Sequence, residues 1–540
     1  MEKTEIMMKK AKDAGLCYED LLQRLEIQVD SDVVFQVSEG QERQMLNACY
    51  RHNPFPGFVK LVLLKLRKKA VKRLFEEERV IQTAPAASIL ALDAVLGNEI
   101  YTLRTGKKNA NPIICDIGSA GLQVIRLYMM AYEKNPVFIK SRYESAVRVD
   151  NALNGSFYKY KTKDQRYFSA HVYYESQKRK MMELLGIKKD PDKFKLMSLP
   201  MDKKTTAKAV EKFDALELEE LSFEKGACAC MLRSREEWEA SEVGKAVCDM
   251  PLYRSEKVAD ASRKDFGTDV SRGPLTGVKV LDLTHIIAGP ACTRILAEQG
   301  ADVLLVRRGK LNQQEQAMLE LDGWSGKHAI DLDFNVPEQL ARAKELVKEA
   351  DVVVCSYQQG ALDKFGLSGE DIHKLNPNVI YASMVCFSDT VWRTRPGWAP
   401  LAEDITGLSI RNGSRENPVN LNGVPLDYIP GFIMAAGVLN ALKKVMTEGG
   451  SYNVTGSLTR GGYWLHECTD LCEENTKEKF EHSQVKKGMA VEQWKEVWTT
   501  VEGTAVGDVK FPMPATYQAG TAEVFHNMMV TDGESGFSSL

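Results

Sequence analysis

The sequence lacks a paired-cysteine framework, an apolar leader and a zinc motif. Its 11 cysteines are scattered along 540 residues, and the two in Cys228-Ala-Cys230 are too close together for an ordinary zinc half-site. We interpret them as two buried thiols and predict no metal site. The chain starts MEKTEIMMKKAKD, without the apolar core of a signal peptide. These absences predict a reducing, cytoplasmic setting. The final Ser538-Ser539-Leu540 faintly resembles a peroxisomal address, so a peroxisome or a mitochondrion stays open.

A strong excess of one charge is also absent. The formal net charge is -3 and the pI is near 6.3, which gives no reason to predict a nucleic-acid or general membrane partner. No apolar run approaches the roughly 20 residues of a membrane span. There is no GxGxxG motif, so NAD or FAD binding by that fingerprint is not supported.

The most informative stretch is 275–306, with the sequence LTGVKVLDLTHIIAGPACTRILAEQGADVLLV. A β-branched run at 278–283 leads through a short polar loop to Pro290, which the first turn of a helix tolerates. Gly300 supplies the helix stop, and 302–306 is a second buried strand. This order predicts a βαβ unit with parallel strands.

Such a unit can bind an anion, because the loop after the first strand presents unpaired N–H groups at a helix N-terminus. Arg307 and Arg308 follow the second strand and add positive charge at the same rim. A nucleotide-like phosphate ligand is therefore one interpretation. A purely structural βαβ unit explains this stretch equally well when it is taken alone.

Strand and helix patterns alternate through the second half of the chain. This alternation predicts an α/β fold with a doubly wound parallel (Rossmann-like) sheet, and a smaller α+β domain is predicted from an antiparallel sheet around 157–172. The expected strands start near 278, 302, 351 and 379, and the expected helices lie at 291, 338 and 370, with further helices at 175–185 and within 205–222.

A helix, a Gly-containing turn, a strand and a second helix occur twice in this order, at 84–127 and at 430–466. We interpret the two copies as an internal repeat. The predicted division of the chain is a helical extension (1–83, with a basic amphipathic helix at 58–75), a smaller domain (84–252), a linker (253–274), a Rossmann-like ligand-binding domain (275–470) and a partly irregular C-terminal wrap (471–540). The basic helix suits a membrane surface, a partner, or simply the body of the protein.

Four ordered blocks resemble the CaiB/BaiF family, the class III CoA-transferases. The first is LDLTHIIAGPACTRILAEQGADVLLV, and the others are 326–333 (GKHAIDLD), 350–366 with GALDKFG, and 375–383 (LNPNVIYAS). The resemblance implies the interlocked architecture of that family. It also implies that 84–252 is similar to the family's second half, so a homodimer or a pseudo-dimer within one chain is predicted.

The resemblance implies an acyl-CoA transferase that moves CoA from an acyl-CoA donor to a carboxylic acid. Asp427 matches the catalytic aspartate, which attacks the acyl-CoA and passes through an anhydride and an aspartyl-CoA thioester. A carboxylate suits this task because its reference pKa of about 3.9 keeps it ionised at neutral pH. CoA and acyl-CoA are then substrates and no cofactor is bound permanently. The competing interpretation of Asp427 is a plain helix N-cap.

The same resemblance gives candidate CoA-binding residues in the first βαβ unit and around it. His285 is implied to lie against the CoA nucleotide, and Lys364 replaces an arginine that is common in the family, which keeps the charge without the bidentate fork. The complete predicted set is His285, Ile286, Ala288, Arg307, Arg308, Lys327 and Lys364. Donors for the thioester oxygen are expected from backbone N–H groups near Gly431 or in the Ile287–Gly289 loop.

Three departures from the family pattern keep alternatives open. Ile287 stands where formyl-CoA-type transferases carry glutamine, which makes small dicarboxylates such as oxalate less expected. Trp398 stands where the racemases have histidine, and racemisation needs two acid/base groups on opposite faces. The family's glycine-rich lid is not identifiable. An acyl-CoA racemase or isomerase and a catalytically decayed CoA-binding protein are therefore the alternative functions.

Overall fold

The computed structural model describes residues 3–39, 78–129, 131–133, 157–172, 174–188, 201–307, 322–474, 481–490, 498–504, 507–512 and 514–518. The predicted basic helix at 58–75 and Arg308 lie outside these described residues, as does the end of the tail.

Strands and helices are numbered in chain order. The strands are β1 (Val33–Glu39), β2 (Ile113–Asp116), β3 (Ala131–Glu133), β4 (Phe157–Lys161), β5 (Tyr167–His171), β6 (Ala229–Met231), β7 (Tyr253–Ala259), β8 (Lys279–Leu283), β9 (Asp302–Arg307), β10 (His328–Asp331), β11 (Val352–Cys355), β12 (Ile380–Val385), β13 (Ser451–Ser457), β14 (Ser483–Ala490), β15 (Trp498–Thr504), β16 (Gly507–Pro512) and β17 (Thr516–Gln518). The helices are α1 (Lys3–Leu25), α2 (Thr83–Thr105), α3 (Ile117–Val124), α4 (Arg126–Met129), α5 (Glu175–Leu184), α6 (Lys203–Val210), α7 (Ala215–Glu224), α8 (Arg235–Ala240), α9 (Glu242–Cys248), α10 (Ala288–Glu298), α11 (Pro337–Glu349), α12 (Gly369–Leu375), α13 (Ala399–Ile405), α14 (Leu408–Asn412), α15 (Pro425–Thr447) and α16 (Leu458–Glu474).

A seven-stranded sheet lies at the centre of the second half, in the order β10-β9-β8-β11-β12-β13-β7. All neighbouring pairs are parallel except β13 with β7. The predicted parallel α/β sheet is thus confirmed, with strands β8, β9, β11 and β12 at the expected places. The chain order reverses between β8 and β11. In an open α/β sheet this reversal leaves a crevice at the carboxyl ends of the two strands.

The segment 253–274 was predicted to be a linker, but it begins with β7. This strand pairs antiparallel with β13 and forms one edge of the sheet. Its side chains from Glu256 to Ala259 are exposed. An edge strand with only one neighbour can carry such polar residues, so its sequence resembles that of a loop. The physical reason for the difference is therefore the edge position.

Two long apolar helices, α2 and α15, form the core of the molecule and pack against each other. Both are long and apolar enough for a membrane span, with mean hydropathies of 1.2 and 1.3. This differs from the expectation that no apolar run approaches that length. The apolar windows are 67% and 78% buried inside the protein. A helix that is surrounded by protein is hydrophobic on all sides, so burial in the core explains their composition.

The repeated order of elements is present in the structure. Helix α2 leads to β2 and α3, and α15 leads to β13 and α16. Each long helix is followed by a glycine in the left-handed region, Gly106 with φ 67° and Gly449 with φ 73°. Such a glycine ends a helix without the steric cost of a Cβ atom.

The first copy belongs to a separate four-stranded sheet in the order β14-β1-β2-β17. Residues 471–540 were predicted to be partly irregular, but they contribute β14 and β17 to the two edges of this sheet. Strand β16 pairs antiparallel with β15 on one side and with β3 on the other, which forms another small sheet. Strands β14, β16 and β17 pair with β1, β3 and β2, which lie far away in the sequence. Local patterning therefore did not predict these C-terminal strands.

The antiparallel sheet expected around 157–172 is formed by β4 and β5 with β6 as a third strand. Helices α5, α6 and α7 cover it and share a small apolar core that includes Phe168 and Met181. Helix α8 starts at a reciprocal capping box that Ser234 and Glu237 form. The limits of the predicted domains stay a prediction.

Candidate active site

The candidate site lies at the crevice between the carboxyl ends of β8 and β11. His285 is the second residue after β8, and Ser356 and Tyr357 are the first two residues after β11. The backbone N–H of His285 donates to Ser356 Oγ at 3.1 Å, and the His285 and Tyr357 rings stack with centroids 4.5 Å apart. Burial lowers the pKa of His285 to about 4, and its Nδ1 has no hydrogen-bond partner among the residues that the structure describes. A neutral imidazole stacked on a tyrosine therefore lies at the switch point.

The loop from His285 into α10 is strained. Ile286 has φ 69°, which is uncommon for a β-branched residue, and its side chain is nevertheless buried. This turn leads directly into Ala288, the first residue of α10. Within the described part of the chain, the N–H groups of Ala288 and Gly289 have no hydrogen-bond acceptor, whereas Ala291 N–H donates to Ile287 O at 2.7 Å. The helix thus presents two unpaired donors at the crevice.

Lys327 has a different place from the one predicted for it. Its side chain is fully buried, and Nζ donates to Asp282 Oδ2 at 2.8 Å, Thr293 Oγ1 at 2.6 Å and Pro290 O at 3.1 Å. Burial lowers its pKa, opposed by the Asp282 carboxylate. All three ammonium protons are thus used inside the protein, where they connect β8 to α10. In this arrangement Lys327 supports the loop and does not reach a phosphate.

The other predicted cations lie at the rim. Arg307 ends β9 and pairs with Asp331, with Nε to Oδ1 at 3.0 Å and Nη2 to Oδ2 at 3.2 Å. Lys364 is exposed in a 3-10 turn, with its ammonium 4.8 Å from the Phe365 ring centroid. Both therefore remain accessible to solvent at the carboxyl side of the sheet. Arg308 is outside the described residues.

Asp427 lies in the first turn of α15, three residues after the N-cap Val424. It is half-buried, and among the described residues its carboxyl oxygens make no hydrogen bond or ion pair. The interpretation of Asp427 as a plain helix N-cap is therefore wrong, because Val424 is the N-cap residue of α15. One turn further along the helix, a Cβ atom on Gly431 would be 2.5 Å from Ala288 O, so α15 and α10 cross in close contact. Asp427 consequently lies next to the N-terminus of α10.

The environment of Asp427 favours the protonated acid. Burial, followed by the charge of Glu403, raises the pKa of Asp427 to about 8. Burial also raises the pKa of Glu403 to about 7. Two acids that interact in this way titrate as a pair. The expectation that Asp427 is simply ionised at neutral pH is thus corrected, because the reference value ignores the buried site.

Glu403 on α13 is held by the loop that leads into α15. Its Oε2 accepts from Asn420 Nδ2 at 2.8 Å and from Leu421 N–H at 2.9 Å. Lys159 on β4 donates to Asn420 Oδ1 at 2.8 Å and forms an ion pair with Asp404 at 2.8 Å. A lysine from the smaller sheet therefore takes part in fixing an acid beside Asp427.

A buried polar cluster fixes the first turn of α15 from the opposite side. Tyr428 Oη donates to Asp322 Oδ2 at 2.8 Å and accepts from Leu127 N–H at 3.1 Å. Asp322 also pairs with Arg126. Burial alone would raise the pKa of Asp322, but the guanidinium groups of Arg126 and Arg294 outweigh it and the pKa is lowered. The segment that carries Asp427 is thus connected to the first copy of the repeat.

Several residues of this site were not predicted from the sequence. Tyr357 and Cys386 directly follow the ends of parallel strands, and the rule that ligands bind at such ends could have indicated them. Nothing in the sequence indicated that Glu403 and Lys159 belong to the site. Lys159 is far from Asp427 in the sequence, and the spacing between Glu403 and Asp427 matches no motif. Their contribution depends on packing between distant segments.

Comparison with known proteins finds related CoA-transferases. The model of CoA-transferase family III matches residues 275–503. An acyl-CoA transferase of Gibberella moniliformis is 31% identical over 398 residues, which cover 70% of this chain and 69% of that protein. The acetyl-coenzyme A transferase nodX of Hypoxylon pulicicidum is 29% identical, with 59% of this chain and 55% of that protein covered. A formyl-CoA:oxalate CoA-transferase of Rhodopseudomonas palustris is 32% identical over 35% of this chain and 47% of its own length.

Solved structures give more distant matches. A hypothetical protein from Mycobacterium tuberculosis is 25% identical with a TM-score of 0.34, covering 38% of this chain and 60% of that one. A CAIB/BAIF family protein from Brucella suis is 23% identical with a TM-score of 0.34, covering 44% and 65%. The assignment therefore depends on the sequence matches, which extend over the sheet, the strained loop and Asp427. The chain belongs to CoA-transferase family III and is a class III CoA-transferase.

Proposed function

We propose that the protein transfers CoA from an acyl-CoA donor to a carboxylic acid through covalent intermediates on Asp427. The observation that carries this proposal is the place of Asp427: an acid without a hydrogen-bond partner among the described residues, in the first turn of α15 and next to the N-terminus of α10. A carboxylate with no structural task at the switch point of a nucleotide-type sheet is suited to be a nucleophile.

The reaction balances in four steps. The Asp427 carboxylate attacks the thioester carbonyl, the C–S bond breaks, and a mixed anhydride and CoA thiolate form. The thiolate attacks the Asp427 carbonyl and releases the donor acid, which leaves an aspartyl-CoA thioester. The acceptor carboxylate then displaces the thiolate and forms a second anhydride. Attack of the thiolate on the acceptor carbonyl gives the new acyl-CoA and restores Asp427.

Each step develops negative charge on a carbonyl oxygen, and donors must stabilise it. The N–H groups of Ala288 and Gly289, which have no acceptor among the described residues, are suitable, because they lie at the N-terminus of α10. This end of α10 is beside the face of α15 that carries Asp427 and Gly431. Gly431 N–H is not suitable, since it lies inside α15, where the helix uses it internally. Of the two predicted sources of donors, we therefore propose the 287–289 loop.

CoA is proposed to bind across the crevice, with its nucleotide part near the stacked His285 and Tyr357 and its phosphates near Arg307 and Lys364. Ile286 and Ala288 contribute through the backbone of the strained loop. We do not include Lys327 among the proposed CoA-binding residues, because its ammonium group donates hydrogen bonds to Asp282, Pro290 and Thr293 inside the protein. The cytoplasmic location, and a homodimer or a pseudo-dimer within one chain, remain predictions.

Racemase activity remains the alternative from the same family. It would need an acid/base group at the position that Trp398 occupies, and the indole supplies none at neutral pH. A decayed CoA-binding protein would bind CoA without reacting at Asp427. The racemase exchanges the α-hydrogen of an acyl-CoA with solvent, which separates it from both other functions.

The test is the intact mass of the protein after incubation with acetyl-CoA, hexanoyl-CoA or succinyl-CoA, with hydroxylamine added to trap an activated carboxylate. The expected result is a hydroxamate that peptide mapping places on Asp427. Asp427→Asn should bind CoA, lose the adduct and lose CoA transfer. Binding of CoA with no modification of Asp427 by any donor would support the decayed protein instead.

A further inference from the structure

The charges around Asp427 limit the kind of acid that can enter. Among the described residues, Glu403 is the charged group whose field acts on Asp427, and it acts to disfavour a second negative charge. The lysine that helps to hold Glu403, Lys159, is already paired with Asp404.

The walls next to Asp427 are apolar. Cys386 follows β12, and its Sγ lies 3.9 Å from Trp398 O; burial, followed by Cys228 and the charge of Asp427, raises the pKa of its thiol. The Trp398 ring lies 5.8 Å from the Tyr174 ring, centroid to centroid. Cys386, Trp398 and Tyr174 are each partly buried against the main core and retain some exposed surface. Thiol and aromatic surface is therefore available beside the nucleophile.

Among the described residues, Asp427 has no partner, no unpaired cation acts on it, and thiol and aromatic surface lies beside it; from this juxtaposition we propose that the CoA acceptor is a monocarboxylic acid with an apolar body. The inference rests on the proposed transferase function and specifies its substrate class. The reacting carboxylate loses its charge when it becomes an acyl group. A second carboxylate would keep its charge in a desolvated site beside Glu403, where the described residues offer no unpaired cation, and this is costly.

The apolar body gives a graded expectation. Each methylene group that is buried against Trp398 and Tyr174 should increase kcat/KM about fourfold, which corresponds to the transfer free energy of a buried CH₂. A carboxylate at the far end of the chain should cancel this gain. Matched acids of equal carbon number therefore separate the two effects.

The experiment measures formation of the new acyl-CoA by chromatography, with acetyl-CoA as the donor for all acceptors, hexanoyl-CoA as a second donor for the four-carbon pair and succinyl-CoA for the six-carbon pair, because a donor and an acceptor with the same acyl group give no new acyl-CoA. The acceptor pairs are butyrate with succinate and hexanoate with adipate. The monocarboxylate should be preferred by at least about tenfold in kcat/KM in each pair, and hexanoate should exceed butyrate. Trp398→Ala should remove the advantage of hexanoate over butyrate, whereas Trp398→Phe should keep most of it. Glu403→Gln should reduce the difference in kcat/KM between the monocarboxylate and the dicarboxylate of each pair.

The possible failures are distinguishable. If Asp427 is labelled by a donor but succinate or adipate is accepted as well as its partner, the transferase function stands and the substrate class is wrong. A labelled enzyme that accepts none of the monocarboxylates also overturns the substrate class. If Asp427 is never labelled and no acid accepts CoA, the transferase function itself fails.

Discussion

At the scale of single residues, burial followed by the charge of Glu403 raises the pKa of Asp427 to about 8, and burial raises the pKa of Glu403 to about 7. A nucleophilic carboxylate must be ionised, so kcat/KM should rise with pH and level off above about 8. In Glu403→Gln the neighbouring charge is gone, and the rise should move to lower pH because the second cause of the raised pKa is removed. The measurement is the pH profile of CoA transfer for both proteins. A profile that does not move would show that burial alone sets the pKa.

The buried acid also affects stability. A carboxyl whose pKa is raised by folding destabilises the folded state at every pH above its unfolded value of about 3.9, and the penalty grows up to the folded pKa near 8. Asp427→Asn keeps the shape and removes the titration. It should therefore raise Tm, with the difference from wild type increasing between pH 5 and pH 8. Thermal unfolding at several pH values tests this, and an equal difference at all pH values would contradict it.

Lys327 and Lys364 form a matched pair of lysines, one fully buried and one exposed. Lys327→Met leaves the Asp282 carboxylate buried without its cation and should reduce the free energy of unfolding by about 3–5 kcal/mol. Lys364→Met should change it by less than about 0.5 kcal/mol and instead raise the KM for the acyl-CoA donor. Denaturant unfolding and steady-state kinetics separate these effects. Unchanged stability of Lys327→Met together with weaker CoA binding would restore its predicted role.

At the scale of elements, the crossing of α10 and α15 sets the geometry of the site. A Cβ atom on Gly431 would lie 2.5 Å from Ala288 O and 2.9 Å from Ala291 Cβ, and both of these atoms are parts of another helix. Gly431→Ala should therefore separate the two helices by a fraction of an ångström to about 1 Å. A displacement of this size can reduce kcat roughly 100-fold.

The control is Gly456→Ala in β13, where the nearest atoms are Met384 Cε and Met434 Cβ at 3.2 Å. Methionine side chains adapt easily, so this variant should keep most of its activity. Rates with saturating acyl-CoA, together with Tm values, distinguish a displaced site from general destabilisation. Equal activity of the two variants would show that the helix crossing does not control the reaction.

At the scale of the whole molecule, both ends of the chain build one sheet. Strand β1 pairs with β14 on one side and with β2 on the other, and β2 also pairs with β17. A protein that ends after Glu474 would lose β14 and β17 and leave both outer edges unpaired. In hydrogen exchange, the amides of β1 should lose protection in this variant. The central strands β8 and β11 are the internal control, and loss of protection there as well would show that the two sheets fold as a single unit.

The sequence predicted those parts of the fold that depend on local patterning. Strands β8, β9, β11 and β12 and the helices between them follow from hydrophobic period and turn chemistry, whereas β10 was not predicted. Strand β7 was missed because an edge strand is polar, and β14 because its partner is near the other end of the chain. For the site, motifs predicted the loop residues and Asp427. The charge state of Asp427 and the burial of Lys327 were not predictable, because both depend on side chains brought together from distant segments.

The pairing of β1 with β14 also has a consequence for biosynthesis. Phe35 is opposite Val485, so the strand and its partner are separated by about 450 residues. At a typical translation rate this interval takes roughly 20–90 s. During that time β1 has an unpaired edge on the ribosome, which is a template for wrong pairing with other nascent chains. Chaperone capacity and translation speed should therefore limit the yield of this enzyme more than its final stability does.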